Sequence, residues 1–244
     1  MLKLDPIAAY DYIAPQFARL SAFRRAYLDQ VEQQIIAAFP NNARALLDVG
    51  AGDGSRSQRI AQACGISRLV LVEPSAAMRG PSIPGVETWS MRAEDLGEID
   101  SQFDAITCLW NVLGHIDPAA ARAGVLRQFA RLLSREGLVF IDVNHRYNAA
   151  EYGVVPTVLR ALRDRIRPDE RNGDVEAVWD QCVTKGHVFT DREFRAFAQD
   201  AGLEVRKRIV IHYRTGQLQR RSYCGNLLYV LGTSARQTSR ISSS

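Results

Sequence analysis

The chain has 244 residues, 46% of them hydrophobic and 24% charged, with 31 Lys and Arg against 27 Asp and Glu for a net charge of +4. That length supports a substantial single core, and the composition is that of a globular protein rather than a disordered or collagen-like one. No apolar run approaches the roughly 20 residues needed to span a bilayer, so no membrane partner is expected.

The first residues lack the basic-then-apolar profile of a secretion signal, since Asp5 and Pro6 arrive almost at once. Cys64, Cys108, Cys182 and Cys224 are widely separated and form no metal-type pairs. They read as reduced, mostly buried cysteines of a cytoplasmic protein, and no metal site is expected. The basic balance is almost wholly arginine, Lys3, Lys185 and Lys207 being the only lysines. These arginines are spread along the chain. Their densest group, Arg160, Arg163, Arg165 and Arg167, reads as the solvated face of an amphipathic helix, so no nucleic-acid partner is expected.

In chain order, residues 16–39 carry Phe17, Leu20, Phe23, Tyr27, Val31 and Ile35 mostly three or four apart, which predicts an amphipathic helix stopped by Pro40-Asn41-Asn42. Ala45 to Val49 predicts a buried strand. It runs into Gly50-Ala51-Gly52-Asp53-Gly54 and then a helix-compatible stretch, 55–64. Strand, tight glycine turn and helix open a doubly wound nucleotide-binding unit. A dinucleotide fingerprint places its third glycine three residues after the second, and here the interval is two. With Asp48 ahead of the first glycine, this spacing suits a zwitterionic amino-acid moiety better than a diphosphate: the acid attracts an ammonium, and exposed amides bind a carboxylate. The next strand, Leu69 to Val72, ends in Glu73, an acid placed to accept both hydroxyls of a ribose.

Further strands are predicted at 103–109 and 138–143, separated by a helix over 118–133 and an Arg135-Glu136-Gly137 turn. Residues 146–186 interrupt the rhythm with a helix at 155–167 and a polar turn at 168–174. An excursion here lies at the carboxyl edge of the sheet, where ligands bind, and reads as a substrate lid. Thr190-Asp191-Arg192-Glu193 predicts a capping box opening a helix that ends near Gly202. Strands near 204–213 and 223–232 follow, and the Ser-rich tail from residue 234 reads as disordered. The expected organisation is a helical cap (1–40), a cofactor-binding core (41–145), a lid (146–186), the rest of the core sheet (187–233) and the tail (234–244).

Asp48-x-Gly50-x-Gly52-x-Gly54, Glu73 and Arg92-Ala93-Glu94-Asp95-Leu96, in that order, resemble the cofactor motifs of class I S-adenosylmethionine-dependent methyltransferases. The resemblance covers about residues 40–145 and continues more loosely to about 232. It implies an α/β fold with a doubly wound, mostly parallel seven-stranded sheet, helices on both faces and an antiparallel last strand. It further implies S-adenosylmethionine as cofactor and S-adenosylhomocysteine as product. By this resemblance Asp48, Gly50, Ala51, Gly52 and Gly54 hold the methionine part, Glu73 and Pro74 the ribose, and Arg92, Ala93, Glu94 and Asp95 the adenine, with Leu109, Trp110 and Asn111 completing the cofactor site.

The segment Asn111-Val112-Leu113-Gly114-His115 lacks the Asn/Asp-Pro-Pro-aromatic box of amino-directed nucleic-acid methyltransferases and the Pro-Cys of cytosine-C5 enzymes. It is similar to small-molecule enzymes, including glycine and sugar-amine N-methyltransferases. A small-molecule acceptor, methylated on nitrogen or oxygen, is therefore expected. His115 is the first candidate proton acceptor, because imidazole titrates near neutrality; Asn111 and His145 are the further catalytic candidates. Tyr10, Tyr12, Asn144 and Tyr147 are expected to line the acceptor pocket. A homodimer is compatible with this reading. RNA or protein methylation, and cofactor binding without catalysis, stay open as alternatives.

Overall fold

The computed structural model of the chain describes residues 1–234, and the predicted disordered tail beyond Ser234 lies outside them. Strand β1 (Leu2–Leu4) leads into helix α1 (Pro6–Ile13), whose N-cap Asp5 accepts from the amides of Ile7 and Ala8. The single helix predicted over 16–39 is instead broken into α2 (Phe17–Ser21) and α3 (Arg25–Ala37), joined by 3-10 turns. The physical reason is a division of labour. Tyr27, Val31 and Ile35 bury against the sheet, whereas Phe17 turns toward the cavity described below and Phe23 stays 60% exposed.

The main sheet uses β2 (Ala45–Val49), β3 (Arg68–Val72), β4 (Val86–Trp89), β5 (Phe103–Cys108) and β6 (Leu133–Val143), with α4 (Ser55–Cys64) and α5 (Ala119–Leu132) between them. After β6 come α6 (Ala149–Tyr152), α7 (Val154–Ile166) and a hairpin, β7 (Asp174–Trp179) and β8 (Cys182–His187). The chain returns to the sheet through α8 (Asp191–Asp200), β9 (Leu203–Ile211), β10 (Leu218–Gln219) and β11 (Asn226–Thr233). Strand order is β10-β9-β11-β6-β5-β2-β3-β4, with β11 antiparallel to both neighbours. The expected seven strands are thus eight, the addition being the two-residue β10 at the edge.

Period-two alternation builds the two faces. Leu46, Leu69, Leu71, Ala105 and Phe140 pack under α3 and α4, while Leu47, Val49, Val70, Val72, Ile106 and Ile141 pack under α5 and α8. Each large apolar side chain contributes about 2 kcal/mol on burial, so these two faces outweigh any single polar contact in fixing the sheet. The predicted capping box holds: Thr190 Oγ1 accepts from Glu193 N, and Glu193 Oε2 accepts from Thr190 N. The predicted turn at Arg135-Glu136-Gly137 becomes an irregularity inside β6. Phe103 pairs with Leu133 and Ala105 with Leu138, leaving residues 134–137 looped out beside Asp104.

A second, three-stranded sheet in the order β1-β8-β7 was not expected. It joins the first residues of the chain to the insertion after β6, with Ala9, Ile13 and Cys182 buried beneath it. On α7, Val155, Leu159 and Ile166 are exposed along with Arg163 and Arg165, so its apolar stripe is not a core face. No helix among the described residues is long and apolar enough to cross a membrane.

Candidate active site

The loop after β2 is fixed by its backbone. Gly50 and Ala51 donate to Val72 O at 2.8 and 3.1 Å, and Gly50, Gly52 and Gly54 all have positive φ. A Cβ on Gly50 would overlap the Val112 side chain, whereas a Cβ at Gly52 meets nothing closer than Met78 Cε at 3.5 Å. Gly52 therefore borders open space above the loop. Glu73 closes the loop from the tip of β3: its carboxylate accepts from Gly52 N and Ser75 N, each at 2.9 Å, and burial pushes its pKa up.

Above this loop lies a cavity of about 940 Å3. One side is formed by Gly50 to Asp53, Glu73, Pro74, Met78, Arg92 to Glu94, Leu109 and Trp110. The other is a roof made from α1, the start of α2, β1 and β8, including Tyr10, Phe17 and Thr184. Asp11 ties that roof down by accepting from Ser75 Oγ at 2.6 Å and Ala77 N at 3.0 Å. Arg79 braces the rim through Glu73 O, Pro74 O and Ser90 Oγ. Sequence reasoning missed Asp11, Arg79, Phe17 and Thr184; no local pattern marks them.

Several expected residues sit elsewhere. Asp48 lies beneath the loop, where Ser57 Oγ and Thr107 Oγ1 (2.6 Å) donate to its carboxylate and burial raises its pKa. It braces strand and helix rather than reaching an ammonium group. Gly54 is the left-handed N-cap of α4, outside the cavity lining. Asp95 accepts from Arg92 N at 3.2 Å, capping the short helix there instead of lining the cavity.

The turn after β5 carries the main backbone outliers. Trp110 and Asn111, neither a glycine, have φ of 58° and 59°. Such strain persists only where surroundings over-determine it. Here Asp142 does so: its carboxylate accepts from Trp110 N and from Tyr27 Oη (2.7 Å), and its carbonyl accepts from Asn111 N. The Asn111 side chain is consumed as a brace, Oδ1 accepting from Asn144 N and Nδ2 donating to His187 O. It is buried and outside the main cavity, contrary to the cofactor-binding expectation.

Trp110 thereby takes its place among Phe17 (centroids 5.2 Å apart) and Trp179 (5.9 Å), while its indole donates to Tyr213 Oη at 3.2 Å. His115 reaches the same corner. Its Nε2 lies 3.1 Å from Tyr10 Oη and its Nδ1 3.2 Å from Lys185 O, and burial pushes its pKa down. Trp110, Asn111, His115, Tyr10 and Asn144 also line a side chamber of about 60 Å3. The structure thus brings together Tyr10, Trp110, Asn111, His115 and Asn144 from the expected set.

It does not bring His145, Tyr12 or Tyr147. Tyr12 is exposed, and Tyr147 Oη donates to Asp164 at 2.8 Å. His145 is buried with Nδ1 on Ser222 O at 2.9 Å, and burial pushes its pKa down to about 4. A histidine kept neutral in this way stabilises the fold fully above its ordinary pKa of 6.5 and loses that contribution as pH falls toward 4. The shift corresponds to about 3 kcal/mol. Urea denaturation should therefore show wild type losing about that much more stability than His145→Gln between those two pH values. His187, without a recognisable partner in sequence, is held between Asp174 Oδ1 at 2.7 Å and Glu193 Oε1 at 2.8 Å. Among the described residues no cluster of His, Cys, Asp or Glu has a metal-binding arrangement.

A family model for a methyltransferase domain matches residues 20–208. No curated protein matches the sequence. Among solved structures, the fold is similar to a S-adenosylmethionine-dependent methyltransferase of Thermotoga maritima, a possible histamine N-methyltransferase, with a TM-score of 0.61 at 17% identity over 93% of this chain and 98% of that one. It is similar to an amino pentose methyltransferase of Micromonospora echinaspora with S-adenosylmethionine bound (TM-score 0.56, 17% identity, 90% and 95% covered). A third likeness is to a Haloferax volcanii putative methyltransferase in complex with the Trm112 activator (TM-score 0.64, 16% identity, 92% and 97% covered). With the family model spanning most of the chain, on a sheet of this order and beneath a cavity floored by this glycine loop, the chain belongs to the S-adenosylmethionine-dependent methyltransferase family.

Proposed function

We propose that this enzyme transfers the methyl group of S-adenosylmethionine to a nitrogen or oxygen of a small-molecule acceptor. The observation that carries the reading is the roof. Residues of α1, β1 and β8 cover the glycine loop and leave one compartment of about 940 Å3, at the upper end of the roughly 300–1,000 Å3 usual for small-molecule sites. The names of two structural neighbours, a possible histamine N-methyltransferase and an amino pentose methyltransferase, agree with a small acceptor.

The cavity residues fit the donor. Gly52 offers a cradle that a Cβ would fill, and Glu73, buried yet lining the cavity, keeps acceptor capacity for ribose hydroxyls beyond its two amide bonds. Pro74, Ala93 and Leu109 supply apolar surface for the adenine, with Arg92 and Glu94 beside them. Once bound, the donor supplies an electrophilic methyl on a sulfonium. The protein's own part is alignment and exclusion of water. Trp110, held by Asp142, and Phe17 and Tyr10 from the roof wall the acceptor side, and the N-terminal helix with the 146–186 insertion acts as the lid.

Glu73→Ala removes the ribose partner and leaves Gly52 N without its acceptor. It should weaken S-adenosylhomocysteine binding by about 2 kcal/mol, some thirtyfold, in calorimetric titration. The reading itself is tested by incubating the enzyme with trideuteromethyl donor and a cell extract, then separating metabolites, RNA and protein before mass spectrometry. Label in the metabolite fraction is expected. Label confined to RNA or protein would overturn the small-molecule acceptor.

A further inference from the structure

The side chamber beside Trp110 has features that the donor reading leaves unused. Tyr10, Trp110 and His115 are common to its lining and that of the main cavity, and Asn111, Asn144, Trp179 and Tyr213 are among its other walls. No carboxylate and no cationic side chain lines it. At about 60 Å3 it has room on the scale of about two waters, which suits an amino group with a carbon or two and not an aromatic ring. With no carboxylate in its lining, the chamber offers an ammonium no counter-charge, and a buried unpaired charge is costly.

The hydrogen bonds at His115 have only one consistent direction. A backbone carbonyl accepts, so Nδ1, 3.2 Å from Lys185 O, carries the ring proton. Nε2 of the neutral ring then holds the lone pair, and Tyr10 Oη, 3.1 Å away, donates to it. Tyr10 spends its proton on His115 and keeps its own oxygen lone pairs for a second hydrogen bond. From this geometry we propose that the chamber seats an uncharged primary or secondary aliphatic amine, and that Tyr10 receives its proton while passing its own to His115. The proposal rests on the acceptor reading above and narrows it to one substrate class.

The step balances. The amine lone pair forms the N–CH3 bond, and the S–CH3 bond breaks with its electrons left on sulfur. The cationic product nitrogen gives a proton to Tyr10 Oη as the Tyr10 proton moves to Nε2. The resulting imidazolium keeps Nδ1–H on the Lys185 carbonyl until it releases a proton to solvent. Burial favours the uncharged forms of both residues beforehand, raising the Tyr10 pKa and lowering that of His115. The same desolvation lowers an ammonium by several units, bringing it near imidazole. An aliphatic hydroxyl, close to water and roughly nine units above imidazole, is not served by so weak a base. Tyr10 is the catalytic residue here. His115 acts through it as a positioning group and proton sink.

Nitrogen-15 NMR of the enzyme saturated with S-adenosylhomocysteine should show His115 as the Nδ1–H tautomer, with Nε2 moving toward an unbonded lone pair in Tyr10→Phe. An Nε2–H tautomer, or no change in that variant, overturns the relay without any turnover being needed. Fluorine NMR should detect trifluoroethylamine, uncharged near neutral pH, binding to wild type and lost in Ala177→Phe, whose ring would fill the chamber, with tetramethylammonium failing to compete. Effective competition by tetramethylammonium would make the chamber a cation cage instead and overturn the uncharged-amine assignment. In turnover with the amine acceptor, Tyr10→Phe should lower kcat about 100-fold with the donor KM within threefold. A kcat within threefold of wild type would overturn the role of Tyr10. Loss of S-adenosylhomocysteine binding by wild type would instead count against the cavity reading beneath it.

Discussion

Gly50→Val is expected to abolish donor binding while the chain stays folded. Two independent costs converge at this position. Its φ of 77° is one that a β-branched residue adopts only with strain, and a Cβ there would overlap the Val112 side chain. Relief requires the loop to rotate away from Val72 O, which dismantles the hydrogen bonds made by Gly50 and Ala51 and moves Gly52 off Glu73. The loop ends a central strand paired on both sides, so the sheet itself survives. Calorimetric titration with S-adenosylhomocysteine should show affinity reduced at least 100-fold, about 3 kcal/mol, with far-ultraviolet circular dichroism unchanged. Affinity within a few-fold of wild type would place the donor away from this loop.

Asp142→Ala should destabilise the chain by orphaning two buried donors at once. Its carboxylate is the acceptor for the buried Tyr27 hydroxyl and for the amide of Trp110, itself in the left-handed region. Each orphaned donor costs about 1–3 kcal/mol. Part of that is offset, because a desolvated carboxylate, whose pKa burial raises, disappears as well. We expect a net loss of about 3 kcal/mol, and hence a melting temperature roughly 10 °C lower for a domain of this size. Asp142→Asn keeps one acceptor oxygen and should cost about half as much. The check separating stability from site geometry is Trp110, whose turn loses its support. In Asp142→Ala, binding of S-adenosylhomocysteine should weaken even well below the melting temperature, and unchanged binding there would mean that Asp142 only stabilises the sheet.

Legibility in the sequence followed the range of each interaction. β2, its glycine loop, α4 and Glu73 were readable because apolar runs, glycines and caps act over a few residues, and their order matched a family pattern. The capping box of α8 was readable for the same reason. The break of the predicted 16–39 helix was not. Its apolar spacing persists through two purposes, a core face at Tyr27, Val31 and Ile35 and a cavity face at Phe17. The β7–β8 hairpin was missed because β7 alternates only between exposed and half-buried positions, and β1, which pairs with β8, is three residues long.

The same logic separates the site residues. Asp48 and Asn111 were named in their motifs yet serve as braces, since their partners Ser57, Thr107, Asn144 and His187 become neighbours only through the fold. The Tyr10–His115 contact joins residues 105 apart in the chain, and Asp142 reaches Tyr27 across 115. No local pattern encodes those separations. His145 differs: it follows β6, where a ligand-facing residue is expected, but its ring turns to Ser222 O and is buried away from the cavity.

The measurement that tests the account most directly is calorimetric titration of the wild-type enzyme with S-adenosylhomocysteine, repeated on Glu73→Ala. The account predicts saturable binding at about micromolar Kd, near −8 kcal/mol, and a clear loss of affinity in the variant. Equal affinity in the two proteins, or no binding by wild type, would contradict the assignment of the Gly50–Glu73 cavity to the methyl donor.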